Sequence, residues 1–330
     1  KISGQINVGV IGPNKLRLKL IEFLKKIHSP VKSNIDDFAR PDFPGLNATF
    51  GIHINFDNLQ QIEVPQDEID KYLHYTDNHQ RVHNLTNLYS DKLIDFTNKE
   101  EVPVTVWFVI IPEDIYKFGR PNSRIPKSDE NITVGLKKKD RDSQQLSMFF
   151  QKENDALREA YQFEVNFHNQ LKAKLLGDKI ITQIIREIKI DYEKLWDNED
   201  KIKQEKMFDS SKAWNIATTF YYKSGGLPWR LGEVRENVCY LGLVYKKLDT
   251  NENSKNACCA AQMFLDSGDG MVFRGNIGPW YNPRTKEFHL SYNDAVEIIN
   301  KSLEAFKNYS PTESYPKEVF IHAKTYFEDE

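Results

Sequence analysis

Within EVNFHNQLKAKLL, His168 and Lys172 stand four residues apart, so one helical turn stacks an imidazole and an ammonium. Both lie at the edge of an apolar stripe of Phe163, Phe167, Leu171 and Leu175, the pattern of a helix with one buried face. Two donors then face one place, and Gln183 follows behind the turn GDKIIT. Ammonium, imidazole and amide donors satisfy the oxygens of a terminal phosphate without discriminating between bases. A lone pair of this spacing is more simply a capped surface histidine and a lysine that lays its stem along apolar surface.

A second unusual stretch is AWNIATTFYYKSGGLPWRLG, Ala213 to Gly232, where an apolar helix ends in Lys223 and two glycines. The glycines allow a sharp turn, and Pro228 with Trp229 restricts φ and buries a large ring at the start of the next strand. Arg230 suits either a phosphate or an ion pair with Glu233. Other constellations carry less. Asp266 and Asp269 in LDSGDG read as a hairpin turn. His79 and His83 have no cysteine or carboxylate at metal-ligand spacing, and NVGVIGPNK lacks the glycines of a dinucleotide loop or P-loop. Cys239, Cys258 and Cys259 give neither a disulfide framework nor a zinc spacing.

These side chains need a scaffold, and 330 residues, 39% hydrophobic and 28% charged, suffice for two cores. The longest apolar run, VTVWFVIIP from Val104 to Pro112, is about half of what a bilayer requires, and no basic-then-apolar leader opens the chain. The expectation is a cytoplasmic protein without a membrane segment. A net charge of -3 gives no global argument for nucleic acid, although residues 117–186 hold 14 Lys or Arg against 9 Asp or Glu.

NVGVIG, Asn7 to Gly12, reads as a buried strand, Leu16 to Ile27 as a helix, and Asp67 to Leu73 as a charged helix. VTVWFVIIP and IITQIIREIKI, Ile180 to Ile190, are further strands. The alternation predicts an α/β fold with a mainly parallel, Rossmann-like sheet and a polar insertion at about 126–145. After about Glu205 come CYLGLVYKK, ACCAAQMFLDSGDGMVFRG, a helix from Tyr292 to Phe306, and EVFIHAKTYF. Three strands, a helix and a further strand match the start of an RNase-H-like sheet. That fold normally continues, so the natural chain is expected to run beyond Glu330.

In this order, YYKSGGLPWRL, CYLGLVYKK, CCAAQMFLDSGDG, GPWYNP and VFIHAKTYF resemble the PIWI domain of a short prokaryotic Argonaute. Upstream, RPDFPGL, VWFVIIPEDIYKFGRPNS and FHNQLKAKLLGDKIITQIIRE resemble the MID domain of that family. The similarity spans about Asn7 to Phe327 and is closest to the subunits of SPARTA-type defence systems, which pair with a separate TIR-APAZ protein. It implies a MID domain over 1–205 and the N-terminal part of a PIWI domain over 206–330.

The resemblance places His168, Lys172 and Gln183 in a pocket for the five-prime phosphate of a guide, with His168 replacing the more usual Tyr or Arg. Lys223 and Thr219 complete that pocket from the other side, Lys212 is a third candidate, and Arg230 reaches the guide backbone. Relatives bridge this phosphate with Mg²⁺. Two carboxylates of a slicing site fall at Val244 and Lys324; an apolar side chain cannot ligate Mg²⁺ and an ammonium repels it, so no catalytic residue is expected. The implied partners are a guide RNA, a single-stranded target DNA and an APAZ-containing effector whose TIR domain consumes NAD on oligomerisation. Trp280 and Tyr281 in GPWYNP are candidate edges of a partner surface, or more simply a turn packed on its own core. Three alternatives stay open: a guided nuclease with metal ligands outside these residues, a Sir2 or nuclease effector, and a structural nucleic-acid-binding protein without guide preference.

Overall fold

The computed structural model describes residues 4–34, 38–99, 102–133, 158–191, 209–228, 235–247, 255–265, 270–310 and 313–324. The chain divides into two compact units, Lys1–Pro228 and Trp229–Glu330.

The first unit runs β1 (Gly4–Ile6), β2 (Val8–Gly12), α1 (Asn14–Lys26), α2 (Leu46–Phe50), β3 (Ile52–Ile54), β4 (Gln60–Glu63), α3 (Gln66–Leu73), α4 (Asn78–Lys99), β5 (Val106–Ile111), α5 (Glu113–Phe118), α6 (Phe167–Leu176), β6 (Thr182–Arg186) and α7 (Asp209–Lys223). Four parallel strands take the order β4-β2-β5-β6, and β1 pairs with β3 apart from them. VGVIG and VWFVII are buried at every position, as central parallel strands covered on both faces must be. On one face Val10 and Phe108 pack with Leu20 of α1 and Phe220 of α7. On the other, Trp107 and Val109 pack with Leu85 and Tyr89 of α4 and Leu171 of α6. This is the expected Rossmann-like, three-layer arrangement.

Three local differences from the sequence pattern have physical reasons. The apolar run to Ile190 is strand only as far as Arg186, because a 3-10 turn, Glu187–Lys189, follows and buries the Glu187 carboxylate against the Glu113 N–H, 3.3 Å away. The 22-residue α4 escapes the hydrophobic pattern because Gln80, Arg81, His83, Thr86 and Ser90 lie on its buried face. The division between units falls after Pro228 and not near 205, since Ala213, Ile216, Ala217, Phe220 and Tyr221 of α7 sit in the first core. Of the polar insertion, residues 126–133 form turns with Ile132 bridged to Tyr75; 134–145 lie outside the described residues.

The second unit runs β7 (Val238–Lys247), β8 (Ala257–Phe264), β9 (Gly270–Gly278), the hairpin β10 (Tyr281–Asn282) and β11 (Glu287–Phe288), α8 (Tyr292–Tyr309) and β12 (Glu318–His322). β7, β8 and β9 are antiparallel neighbours, and β12 returns parallel to β7, giving the order β12-β7-β8-β9. That is the RNase-H-like start expected. Alternate residues, among them Leu241, Leu243, Cys259, Ala261 and Met263, meet Ile298 and Phe306 of α8. The opposite face shows Val244, Phe264, Val272 and Phe320 exposed. No helix among the described residues is long and apolar enough to cross a membrane.

Candidate nucleic-acid interface

α6 starts at Phe167 because the Asn166 side chain caps it, accepting from the Asn169 N–H at 3.2 Å. Its apolar stripe is buried through Phe167, Leu171 and Leu175, which leaves His168 and Lys172 on the exposed side of the first two turns. α7 approaches from far along the chain. Its first turns are held by the Ser210 hydroxyl on the Pro41 carbonyl at 2.7 Å and the Trp214 indole N–H on the Asp42 carbonyl at 3.1 Å. Its last turn closes through the N–H groups of Gly225 and Gly226, which donate to the Tyr222 and Tyr221 carbonyls. Gly225 has φ +91°, and a Cβ at Gly226 would stand 2.4 Å from the Tyr221 ring, so both glycines are required. Lys223, the last residue of α7, donates Nζ to the Thr182 carbonyl of β6 at 2.5 Å. A cation is favoured at that helix end.

His168, Lys172 and Lys223 are thereby brought together. Burial and then the nearby Lys172 ammonium push Lys223 down to about 8. Burial, Lys172 and Lys223 together hold His168 below its ordinary value, against the opposing hydrogen bond to Asn169. Among the described residues no carboxylate pairs with Lys172 or Lys223. Like charges held close in a half-buried place raise each other's free energy, and an oxyanion between them removes that cost.

His168 also lines a cleft of about 500 Å³ with Tyr116, Arg120, Ile184 and Arg186. The Tyr116 ring lies between two guanidiniums, Arg120 at 3.5 Å and Arg186 at 3.4 Å from its centroid. Arg186 is fixed by a two-pronged bond to the buried Glu113 carboxylate, at 3.0 and 2.6 Å. The loop that carries Arg120 is fixed by the fully buried Arg81, which donates to the Phe118, Tyr75 and Ser123 carbonyls at 3.1, 2.6 and 3.2 Å. The His168, Lys172 and Lys223 cluster therefore borders a cleft walled by two guanidiniums. Sequence reading did not single out Tyr116, Arg120 or Arg186; the available signal was the four-residue spacing of Tyr116 and Arg120 in IYKFGR. A donor set of ammoniums and imidazole does not fit Mg²⁺, which takes oxygen ligands, so no step is assigned to a metal held by these residues.

The other expected residues lie outside this cluster or outside the described residues, apart from Thr219. Gln183 pairs with Phe108 across the sheet and so points into the layer under α7; it is buried, with its amide nitrogen 3.3 Å from the Ile216 carbonyl and its Oε1 without a partner. Thr219 is exposed one turn before Lys223, its hydroxyl donating to the Asn215 carbonyl at 2.8 Å. Lys212 is buried beside Asp209 at 3.5 Å and lies eleven residues before Lys223, about 16 Å along the helix, outside the cluster. Arg230, Asp266 and Asp269 lie outside the described residues. Val244 is half exposed on the open face of β7, and Lys324 is exposed after β12. Since His322 pairs with Gly242, each lies two residues beyond the last register pair.

No known family profile matches the chain, and no curated protein does. Among solved structures it is similar to Drosophila Piwi, at 13% identity and a TM-score of 0.47, over 96% of this chain and 28% of that one. It is also similar to Kluyveromyces polysporus Argonaute with a guide RNA, at 8% identity, TM-score 0.45, over 98% and 27%. Aquifex aeolicus Argonaute is a third, at 14% identity, TM-score 0.38, over 98% and 32%. The chain thus spans about three-tenths of the length of these structures.

Proposed function

We propose that the chain is the guide-binding part of an Argonaute-like protein and holds a strand by its five-prime phosphate between His168, Lys172 and Lys223. The observation that supports this most is the convergence of two ammoniums and an imidazole from α6 and α7, with no carboxylate paired to either lysine among the described residues. The adjoining cleft, walled by the Arg120 and Arg186 guanidiniums that cover Tyr116, takes the first nucleotide. Lys172→Ala should weaken a five-prime phosphorylated strand by about 1.5 to 3 kcal/mol and hardly affect one with a hydroxyl end. Equal losses for both strands, measured by fluorescence anisotropy, would remove the phosphate reading.

The finer reading follows the sequence motifs. The guide is RNA, the target is single-stranded DNA, and the chain senses without cutting, because Val244 and Lys324 stand where carboxylates would hold two divalent ions. The effector is an APAZ-containing protein with a TIR domain, which oligomerises when guide and target pair and then consumes NAD. Loaded protein in Mg²⁺ or Mn²⁺ should leave the target strand whole, and NAD should fall on target addition only when the partner is present. Scission opposite the middle of the guide by the purified chain would favour the nuclease alternative, and copurification with mass spectrometry distinguishes a TIR from a Sir2 or nuclease partner.

A further inference from the structure

We propose that the β10–β11 end of the second unit is a separate contact for the phosphodiester backbone of a nucleic-acid strand. The end is a groove of about 780 Å³ lined by Lys255, Trp280, Tyr281, Asn282, Arg284 and His289. Topology builds it. β7 ends at Lys247 opposite Ala257, where β8 begins, and Ala257 is opposite Gly278, where β9 ends. The hairpin then folds back so that the Tyr281 N–H donates to the Lys255 carbonyl at 3.0 Å and the His289 N–H to the Trp280 carbonyl at 2.9 Å.

The hairpin is a firm floor. Trp280 is buried, and Phe288 stacks on Tyr245 with ring centroids 5.0 Å apart. Lys247 holds its ammonium 4.7 Å from the centre of the Tyr281 ring. Asn282 shapes the tip, its side-chain oxygen accepting from the Arg284 N–H at 3.0 Å. Lys255, Arg284 and Lys286 are exposed and form no ion pair among the described residues.

Among the described residues the neighbouring carboxylates have partners of their own. Glu287 stands 3.7 Å from the His289 imidazole, Asp294 accepts from Asn276 and Ser291, and Glu297 accepts from Asn276 and Lys301. Among the described residues that line or form the hairpin end, Lys255, Arg284 and Lys286 stand against one carboxylate, Glu287. With Trp280 buried and the Tyr281 face taken by Lys247, the surface offers neither an exposed aromatic anchor for a protein nor a free ring for a base. Spaced cations along a groove suit phosphates, and such contacts are blind to base sequence.

The proposal rests on the reading that this chain holds a nucleic-acid strand, but not on the five-prime pocket. The test uses fluorescein-labelled polyadenylate RNA with a phosphate or a hydroxyl at its five-prime end, titrated with the full protein across a salt series. Lys255→Ala with Arg284→Ala should lower affinity for both strands by the same factor, about three- to tenfold per contact, and flatten the slope of log K against log salt by about 0.7 per contact. Unchanged affinity and slope would overturn it, as would a loss confined to the phosphorylated strand. If Lys172→Ala leaves the two ends equivalent while this pair behaves as stated, the five-prime reading fails and the groove contact stands.

Discussion

The two four-stranded sheets differ in what covers them. The parallel sheet of the first unit has helices on both faces, and its central strands are buried throughout. The sheet of the second unit has α8 on one face, while Val272 on the other is 69% exposed. The two units also differ in how they treat charge. In the first, Arg81 is fully buried and Lys223 half-buried, each oriented by carbonyls, beside the exposed Lys172 and Arg120. In the second, Lys255, Arg284 and Lys286 are at the surface. Buried cations can be aimed at one ligand atom, whereas exposed ones supply a field.

Packing gives the largest expected contrast. Trp107→Ala should cost about 3 to 5 kcal/mol in urea unfolding followed by circular dichroism, and Val272→Ser no more than about 0.5 kcal/mol. A comparable cost at Val272 would mean that the open face is covered in the protein. The next is between two arginines. Arg81→Met leaves several buried carbonyls unpaired and should cost about 3 kcal/mol, against about 0 to 1 kcal/mol for Arg235→Ala, whose pair with Glu318 is largely exposed. Because Arg81 holds the Arg120 loop, its loss should also weaken strand binding at temperatures where the protein remains folded, which Arg235→Ala should not do.

The smallest effect is the pH response of the cluster. Lys223 titrates at about 8 in the free protein, so affinity for a phosphorylated strand should fall as pH rises from 7 to 9, by less than about tenfold per pH unit. Lys223→Arg keeps the charge and should abolish the fall in that window. Stability of the free protein has the opposite sign: Lys223 is depressed below its ordinary 10.5, so the fold disfavours its charged form and stability rises from about pH 8 towards 10.5. A binding curve flat in pH for the unaltered protein would show that Lys223 does not face the bound anion.

Much of this was open to reading in one dimension. Runs such as VWFVII, short and rich in β-branched and aromatic residues, read as central strands, and the order of three strands, helix and strand after Val238 leaves few ways to pair. His168 and Lys172 share a turn by spacing alone. What the pattern hid were elements whose buried faces are polar, α4 above all, and with it the Arg81 clasp, because a buried arginine bonded to carbonyls looks like a surface arginine in a string of letters.

The sequence by itself determined the element types, the register of apolar faces and the residues that carry charge, since these depend on neighbours a few positions away. Only the tertiary structure decided which charges meet. Lys223 comes to Lys172 because α7 crosses to β6 and is tied to Thr182, Lys212 is left three turns away on the same helix, and Gln183 faces inward because strand parity sets it beside Phe108. Distances between α6 and α7 are fixed by packing across the sheet, and no local rule about spacing contains them.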